Sequence, residues 1–403
     1  GTDVDYTQFT GKKGQRLLIT CQCASIDSKL HPELVLVDAG GRKIAETHPL
    51  PGQDALLDVT LPADGDYLLR LAQFTYTQGG PDFFYRLNIG SAPYLDAVFP
   101  PMIAAGKPAQ ITLFGRNLPG GKPEPGMISQ DGKQLESLVV TVTPPAEPQA
   151  AQKLAFLGRI SPESCVLDGF EYRLSGPGGL SNPVLISYAA APVILEKEDN
   201  DTPEKAQEVK TPCEIAGRMD KKRDRDWYAF EAKKGEVLML EVRSQRLGAP
   251  TDMVLSLRNQ AAKPPAEITQ QDDNPDVLNP QRLYTFSKDP APYRFVVPAD
   301  GKSQWGLRKL EGDNHADPTH VYSLRISPEQ PDFRLVAMHP DSFRPDAFNL
   351  LQGGQETFAV FAQRLDGFKG DITLSVEGLP GGLTSVSQIL GGAMKSGYLV
   401  VAA

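Results

Sequence analysis

Apolar residues in this chain come in runs of five to eight, many alternating with polar ones, and no segment holds a long 3.6-residue period. The runs read as strands with turn signals between them. Leu17 to Cys21 alternates weakly, Leu34 to Val37 is continuously apolar, and Ala39-Gly40-Gly41 predicts a tight turn before Lys43. Leu56 to Leu61 and Tyr67 to Leu71 flank Pro62-Ala-Asp-Gly65, with Pro early and Gly late as a type I or II turn requires. Trp227 to Phe230, Val237 to Val242, Met253 to Leu257 and Tyr293 to Val297 continue the plan, and the aromatics of the first of these are expected in the core. Glu204 to Glu208 has room for one helical turn at most.

The pattern repeats. Asp3-Val-Asp5-Tyr-Thr-Gln-Phe9 matches Asp224-Arg-Asp226-Trp-Tyr-Ala-Phe230 at an offset of 224 − 3 = 221, which holds through Leu34-Val-Leu36 against Leu255-Ser-Leu257. Pro62-Ala-Asp-Gly65 recurs at Pro298, an offset of 236, so the second copy carries an insertion of about 15 residues, assigned to the Pro- and Asp-rich loop from Asp272 to Pro280. Tyr85-Arg-Leu then matches Tyr322-Ser-Leu. Gly106 to Leu118 and Gly353 to Leu365 also resemble each other, each a turn followed by an alternating strand of the half-buried kind found in Ig-type sandwiches. The expected architecture is therefore all-β, with tandem β-sandwiches in an A-B-A′-B′ order over residues 1–92, 93–191, 192–330 and 331–403. The chain opens mid-pattern at Gly1 and ends on an unfinished strand at Tyr398 to Ala403, as an excised piece of a larger protein would.

Composition narrows the class. Thirty-seven Gly and 35 Pro in a chain that is 40% hydrophobic suit turn-rich β domains rather than disorder, and 403 residues are too many for one core. A net charge of −9 argues against nucleic acid or an anionic membrane surface as partner, and no apolar run reaches a bilayer-spanning length. Four cysteines are too few for a disulfide scaffold. Cys21 and Cys23 are badly placed to bridge each other, and Cys165 could meet Cys213 only if the fold brought them together.

The densest candidate chemistry lies between Glu196 and Phe230. Glu196, Glu198 and Asn200 are spaced by two, which in a strand places three oxygen-bearing side chains on one face, and Asp201 follows. Asp224 and Asp226 form a second pair at the mouth of a strand. Carboxylates this close repel unless a cation neutralises them, and an all-oxygen set suits calcium, whereas zinc would want an adjacent Cys or His. The same spacing is met equally by a solvated acidic strand end paired with Lys222, Arg223 and Arg225.

The string Glu-x-Glu-x-Asn-Asp, Asp-x-Asp-Trp-Tyr-x-Phe, Lys-Lys-Gly, Pro-Ala-Asp-Gly and Tyr-x-Leu resembles the bacterial pre-peptidase C-terminal (PPC) domain, and Gly106 to Leu118 with Gly178 to Pro183 is similar to IPT/TIG Ig-like domains. The resemblance implies ancillary sandwiches of large secreted bacterial proteins, located extracellularly, at the cell surface or in the periplasm. Through the collagen-binding relatives it implies calcium held by Glu196, Glu198, Asn200 and Asp201 with Asp224 and Asp226. The first copy keeps only Asp3 and Asp5 of that set, and no motif for collagen contact can be placed.

Catalytic signatures are missing. Five histidines (His31, His48, His315, His320, His339) form no HExxH, and there is no Gly-x-Ser-x-Gly, phosphate-cradling glycine loop or Cys-x-x-Cys. Pro203 and Lys205 break any EF-hand reading of Asp199 to Asp201. Three classes of function remain: a non-catalytic extracellular module that binds a protein or polysaccharide ligand or acts as a spacer, an accessory region of a secreted protease, and an enzyme with an unrecognised site. A monomer without catalytic activity is the expectation.

Overall fold

The structure is a computed structural model that describes residues 3–26, 28–50, 52–129, 131–146, 154–155, 167–259, 266–273, 289–310, 319–340 and 348–403. Cys165, His315 and most of the loop from Asp272 to Pro280 lie outside these. The described residues contain strands and short 3-10 turns but no α-helix. The helical turn expected near Glu204 is the 3-10 segment Pro203–Lys205.

The chain is all-β, and its main sheets draw their strands from four successive stretches. In the first, Val4–Gly11, Gly65–Gln73, Pro32–Asp38 and Lys43–Thr47 lie side by side in that order, with Ala55–Thr60, Arg16–Gln22 and Arg86–Gly90 forming a second sheet. Leu17, Ile19, Leu34, Leu36, Tyr67 and Leu69 fill the core between them. In the second, Lys122–Ile128, Gln134–Val142, Ala109–Arg116 and Tyr94–Phe99 pack against a sheet containing Gly169–Tyr172, Val184–Ala189 and Met102–Ala104. The fourth is built on Asp332–Met338, Gln355–Leu365 and Ser396–Ala402.

The third stretch positions the acidic cluster. One sheet runs Val193–Leu195, Cys213–Arg218, Val321–Pro328, Val237–Arg243, Tyr293–Val296; the other runs Gln207–Glu208, Arg225–Ala232, Gly301–Lys309, Met253–Asn259, Ala266–Gln271. The order Arg225–Ala232, Gly301–Lys309, Met253–Asn259, Ala266–Gln271 has the same succession as Val4–Gly11, Gly65–Gln73, Pro32–Asp38, Lys43–Thr47 in the first stretch. Tyr228, Phe230, Trp305 and Leu307 from one sheet meet Ile215, Leu238, Leu240, Leu324 and Ile326 from the other, all buried. Trp227 is buried as well, with the Arg258 guanidinium 5.1 Å from its ring centre. Cys21, Cys23 and Cys213 are buried free thiols, each pushed up to about 12, mainly by burial.

Two glycines make room for the large rings. A Cβ on Gly217 would lie 2.2 Å from the Tyr322 ring, and one on Gly306 would lie 2.8 Å from the Trp227 ring. Gly217 faces Tyr322 directly across the antiparallel pair. Overpacking of this kind costs about 1–3 kcal/mol. Gly217→Ala should therefore lower the denaturation midpoint by that order and displace the Tyr322 hydroxyl, whereas Gly235→Ala, in an open turn at φ 83°, is penalised by backbone strain alone. Urea unfolding with tyrosine fluorescence checks both; equal losses would remove the steric argument.

Candidate metal centre

The cluster forms where the segment after Val193–Leu195 crosses from one sheet to the other. Glu196 N–H still donates to Ala216 O at 2.8 Å, so the chain is anchored to its first sheet there. Four residues later Asn200 O accepts from Trp227 N–H at 3.0 Å, on the second sheet. Between them the backbone bends, with Asp199 at φ 76°. The expectation that Glu196, Glu198 and Asn200 share one strand face is thus incorrect: the strand ends at Leu195. Spanning two sheets in so few residues requires a turn, and Asp tolerates the left-handed conformation it needs. The bend, not strand periodicity, gathers the side chains.

What it gathers is buried. Asp226 is 0% exposed and Asn200 1%. Asp226 Oδ2 accepts from the Tyr322 hydroxyl at 2.6 Å, and the Tyr322 and Tyr228 hydroxyls are 2.6 Å apart. Glu196 Oε2 accepts from Arg218 N–H at 2.7 Å, and Asp224 Oδ2 from Lys221 N–H at 3.2 Å. The remaining oxygens have no hydrogen-bond partner: Glu196 Oε1, Asn200 Oδ1, Asp201 Oδ1, Asp224 Oδ1 and Asp226 Oδ1. The Asn200 amide nitrogen is unpartnered too. Five of the six residues singled out from sequence therefore contribute an orphaned, buried oxygen. A buried ion left uncompensated costs on the order of several kcal/mol, so the arrangement calls for a compensating positive charge.

Glu198, the sixth, lies at the outer rim, paired with Lys221 Nζ. Its carboxylate, with those of Asp220 and Asp224, forms a group whose oxygens all lie within 4.8 Å of one another. Asp220 escaped the sequence reading. Its signal was the position directly after the strand Cys213–Arg218, on the near side of the turn that ends at Asp224. The pairing expected with Lys222, Arg223 and Arg225 does not describe the site: Lys221 meets Glu198, and Lys205 meets Asp199 at 2.7 Å in solvent.

Electrostatics follow the burial. Desolvation pushes Asp226 well above the carboxylate range, reinforced by Glu196 and Asp224 beside it. Glu196 is raised by desolvation and by the neighbouring charges of Glu198 and Asp220. Asp224 is pushed up to about 7, first by desolvation and then by Glu198, Glu196 and Asp220. Desolvation and Glu198 also raise Asp220, and burial beside Asp226 raises Tyr322 and Tyr228 far above the phenol range. Without a cation, protons take up part of the charge. An all-oxygen donor set of carboxylates and one amide, with no Cys or His in it, matches a hard divalent cation such as calcium.

Comparison with known proteins finds likenesses to parts of this chain. A scan against protein-family models gives no match. A 71-residue stretch, 17% of this chain, is 38% identical to a probable subtilase-type serine protease of Deinococcus radiodurans, of which it spans 10%. Among solved structures, the pre-peptidase C-terminal domain of a Bacillus anthracis collagenase is similar over 32% of this chain and 100% of that domain, at 15% identity and a TM-score of 0.23. The M60 catalytic domain of Clostridium perfringens ZmpB with its two CBM51 domains aligns with 81% of this chain and 33% of that structure, at 8% identity and a TM-score of 0.16. No helix among the described residues is long and apolar enough to cross a membrane.

The raised acidity constant of Asp224 has a consequence for stability. A carboxyl whose folded value, about 7, exceeds its ordinary 3.8 binds more protons folded than unfolded. In chelator its contribution is favourable at low pH and is lost as pH rises from the carboxylate range through about 7. Asp224→Asn should therefore raise the Tm in chelator at pH 8, with the advantage gone by pH 5. In calcium at pH 8 the sign should reverse, because a ligand is lost. Calorimetric melts at both pH values check this; the same sign in chelator and calcium would contradict it.

Proposed function

We propose that this chain is a non-catalytic array of four β-sandwich modules, divided near residues 92, 191 and 330, that works outside the bacterial cytoplasm as a binding or spacing element. In this reading the first and third modules are PPC-like repeats and the second and fourth are Ig-like. The third module takes calcium through Glu196, Glu198, Asn200, Asp201, Asp224 and Asp226, with Asp220 at the rim. The observation that carries it is the set of five buried oxygens without hydrogen-bond partners, drawn from five of these side chains. When bound, the cation neutralises the carboxylates and leaves them ionised at neutral pH. The chain's own residues do the rest: Tyr322 and the Arg218 N–H orient Asp226 and Glu196, and the bend at Asp199 brings Asn200 to the second sheet. An extracellular protein or a polysaccharide is the proposed partner class, with the chain a monomer.

A second reading makes the chain an accessory region of a secreted protease. It is favoured by the 71-residue likeness to the subtilase-type protease, although the shared stretch is a tenth of that protein.

Calcium titration of the whole chain by calorimetry should give heat that Glu198→Ala combined with Asp226→Asn removes. At free calcium 100-fold above its Kd, the third module should gain about 2.7 kcal/mol of stability. Equal heats from both proteins, or none from either, would sink the metal reading. The purified chain should not hydrolyse casein or a glycan panel; turnover abolished by one substitution would overturn the non-catalytic reading.

A further inference from the structure

The first and third stretches share a strand succession but differ in what lies at their edges. In the third, Val321–Pro328 is an interior strand, held on one side by Val237–Arg243 and on the other by Cys213–Arg218. Its counterpart in the first is Arg86–Gly90, since Ile89 pairs with Ile19 as Ile326 pairs with Leu240. Among the described residues, nothing pairs with the far side of Arg86–Gly90. Likewise Arg225–Ala232 is flanked by Gln207–Glu208, whereas Val4–Gly11 is an edge strand.

Side-chain burial tracks this difference. Leu324 and Ile326 are fully buried, but Leu87 and Ile89, their counterparts, are only half-buried. Tyr6, the counterpart of Trp227, is 63% exposed against 7%. The polar anchor is nevertheless in place: the Tyr85 hydroxyl donates to Asp5 Oδ2 at 2.7 Å, as Tyr322 donates to Asp226 at 2.6 Å. The first unit therefore has the receiving half of the arrangement, with two unpaired sheet edges and half-covered apolar side chains.

We propose that the edge of Arg86–Gly90 is a docking site for an extended polypeptide segment, added as an antiparallel strand. The third unit specifies the occupant's chemistry, because Cys213–Arg218 occupies the equivalent edge there. It is a strand of about six residues with apolar side chains at alternate positions, as Cys213, Ile215 and Gly217 alternate with Glu214, Ala216 and Arg218. Carrying the register across places the residue equivalent to Cys213 opposite Ile89 and that equivalent to Ile215 opposite Leu87. An acidic lead-in like Glu196 to Asp201 would come to stand beside Asp3 and Asp5. That addition rests on the metal reading above; the strand pairing does not.

The test uses the whole chain and a synthetic peptide of residues 192–220 carrying Cys213→Ser, in calcium and in chelator. Hydrogen exchange should show new protection at residues 85–90 at a one-to-one ratio. A peptide with Ile215→Pro, which removes a ladder donor without touching the folded chain, should bind at least ~10-fold more weakly. Protection in either buffer supports docking, and protection only in calcium adds the metal to it. No protection in either buffer, equal binding of the proline peptide, or protection at 321–328 instead would overturn the proposal. Self-association that the peptide cannot reverse would assign the edge to a second copy of the chain, and would overturn it too. The calcium titration of the third unit is independent of this result, so the two readings fail separately.

Discussion

A carboxylate with no exposed surface, Asp226, sits where the two sheets of the third unit meet, and the local structure is arranged around keeping it there. Its Oδ2 is held by Tyr322, whose ring fits only because residue 217 lacks a side chain, and Tyr322 in turn contacts the hydroxyl of Tyr228. The tyrosines come from opposite sheets, Tyr228 from Arg225–Ala232 and Tyr322 from Val321–Pro328. One acidic group thus ties both layers of the sandwich. A buried charge is expensive and needs either a proton or an opposite charge. Both are available in principle here: the raised acidity constants describe the protonated solution, and the oxygens turned toward one another describe the cation-bound one.

The same use of charge recurs between the four stretches. Arg16 pairs at 2.8 Å with Asp58 of its own sheet and at 2.8 Å with Glu136 of the next stretch. Arg218, whose N–H holds Glu196, places its guanidinium 4.9 Å from the Phe99 ring and 5.5 Å from the Phe114 ring. Arg325 pairs at 2.9 Å with Asp366, both nine-tenths buried, and Arg334 reaches Asp168 at 3.0 Å. The second, third and fourth stretches consequently meet around one polar cavity of about 140 Å³, lined among others by Asp168, Arg243, Arg325, Arg334 and Asp366. Guanidinium suits these joints because its fork serves two carboxylates at once and can also lie over a ring. Breaking a buried pair of this kind leaves an uncompensated charge, so the joints resist shear more than apolar contacts of equal area would.

Much of the fold was legible in the sequence. Alternation at Val237 to Val242 and Met253 to Leu257, the Pro-Ala-Asp-Gly turns and the exclusion of helices all depend on local sterics and on which face of a strand is wet, and these are set within a few residues. The aromatic run Trp227, Tyr228, Phe230 was legible as core for the same reason. The identity of the acidic residues was legible too, because their density between Glu196 and Asp226 has no purpose in a buried strand unless something neutralises it. What could not be read was how they meet. Strand periodicity put Glu196, Glu198 and Asn200 on one face, whereas a bend at Asp199 brings them together, and Asp220 joined only when Cys213–Arg218 paired with Val321–Pro328. Pairing between strands a hundred residues apart is a property of the closed sheets. Residue types and local spacing determined the strands, the turns and the candidate acids; only the tertiary structure decided which oxygens are buried together, because burial depends on what the far end of the chain packs against them.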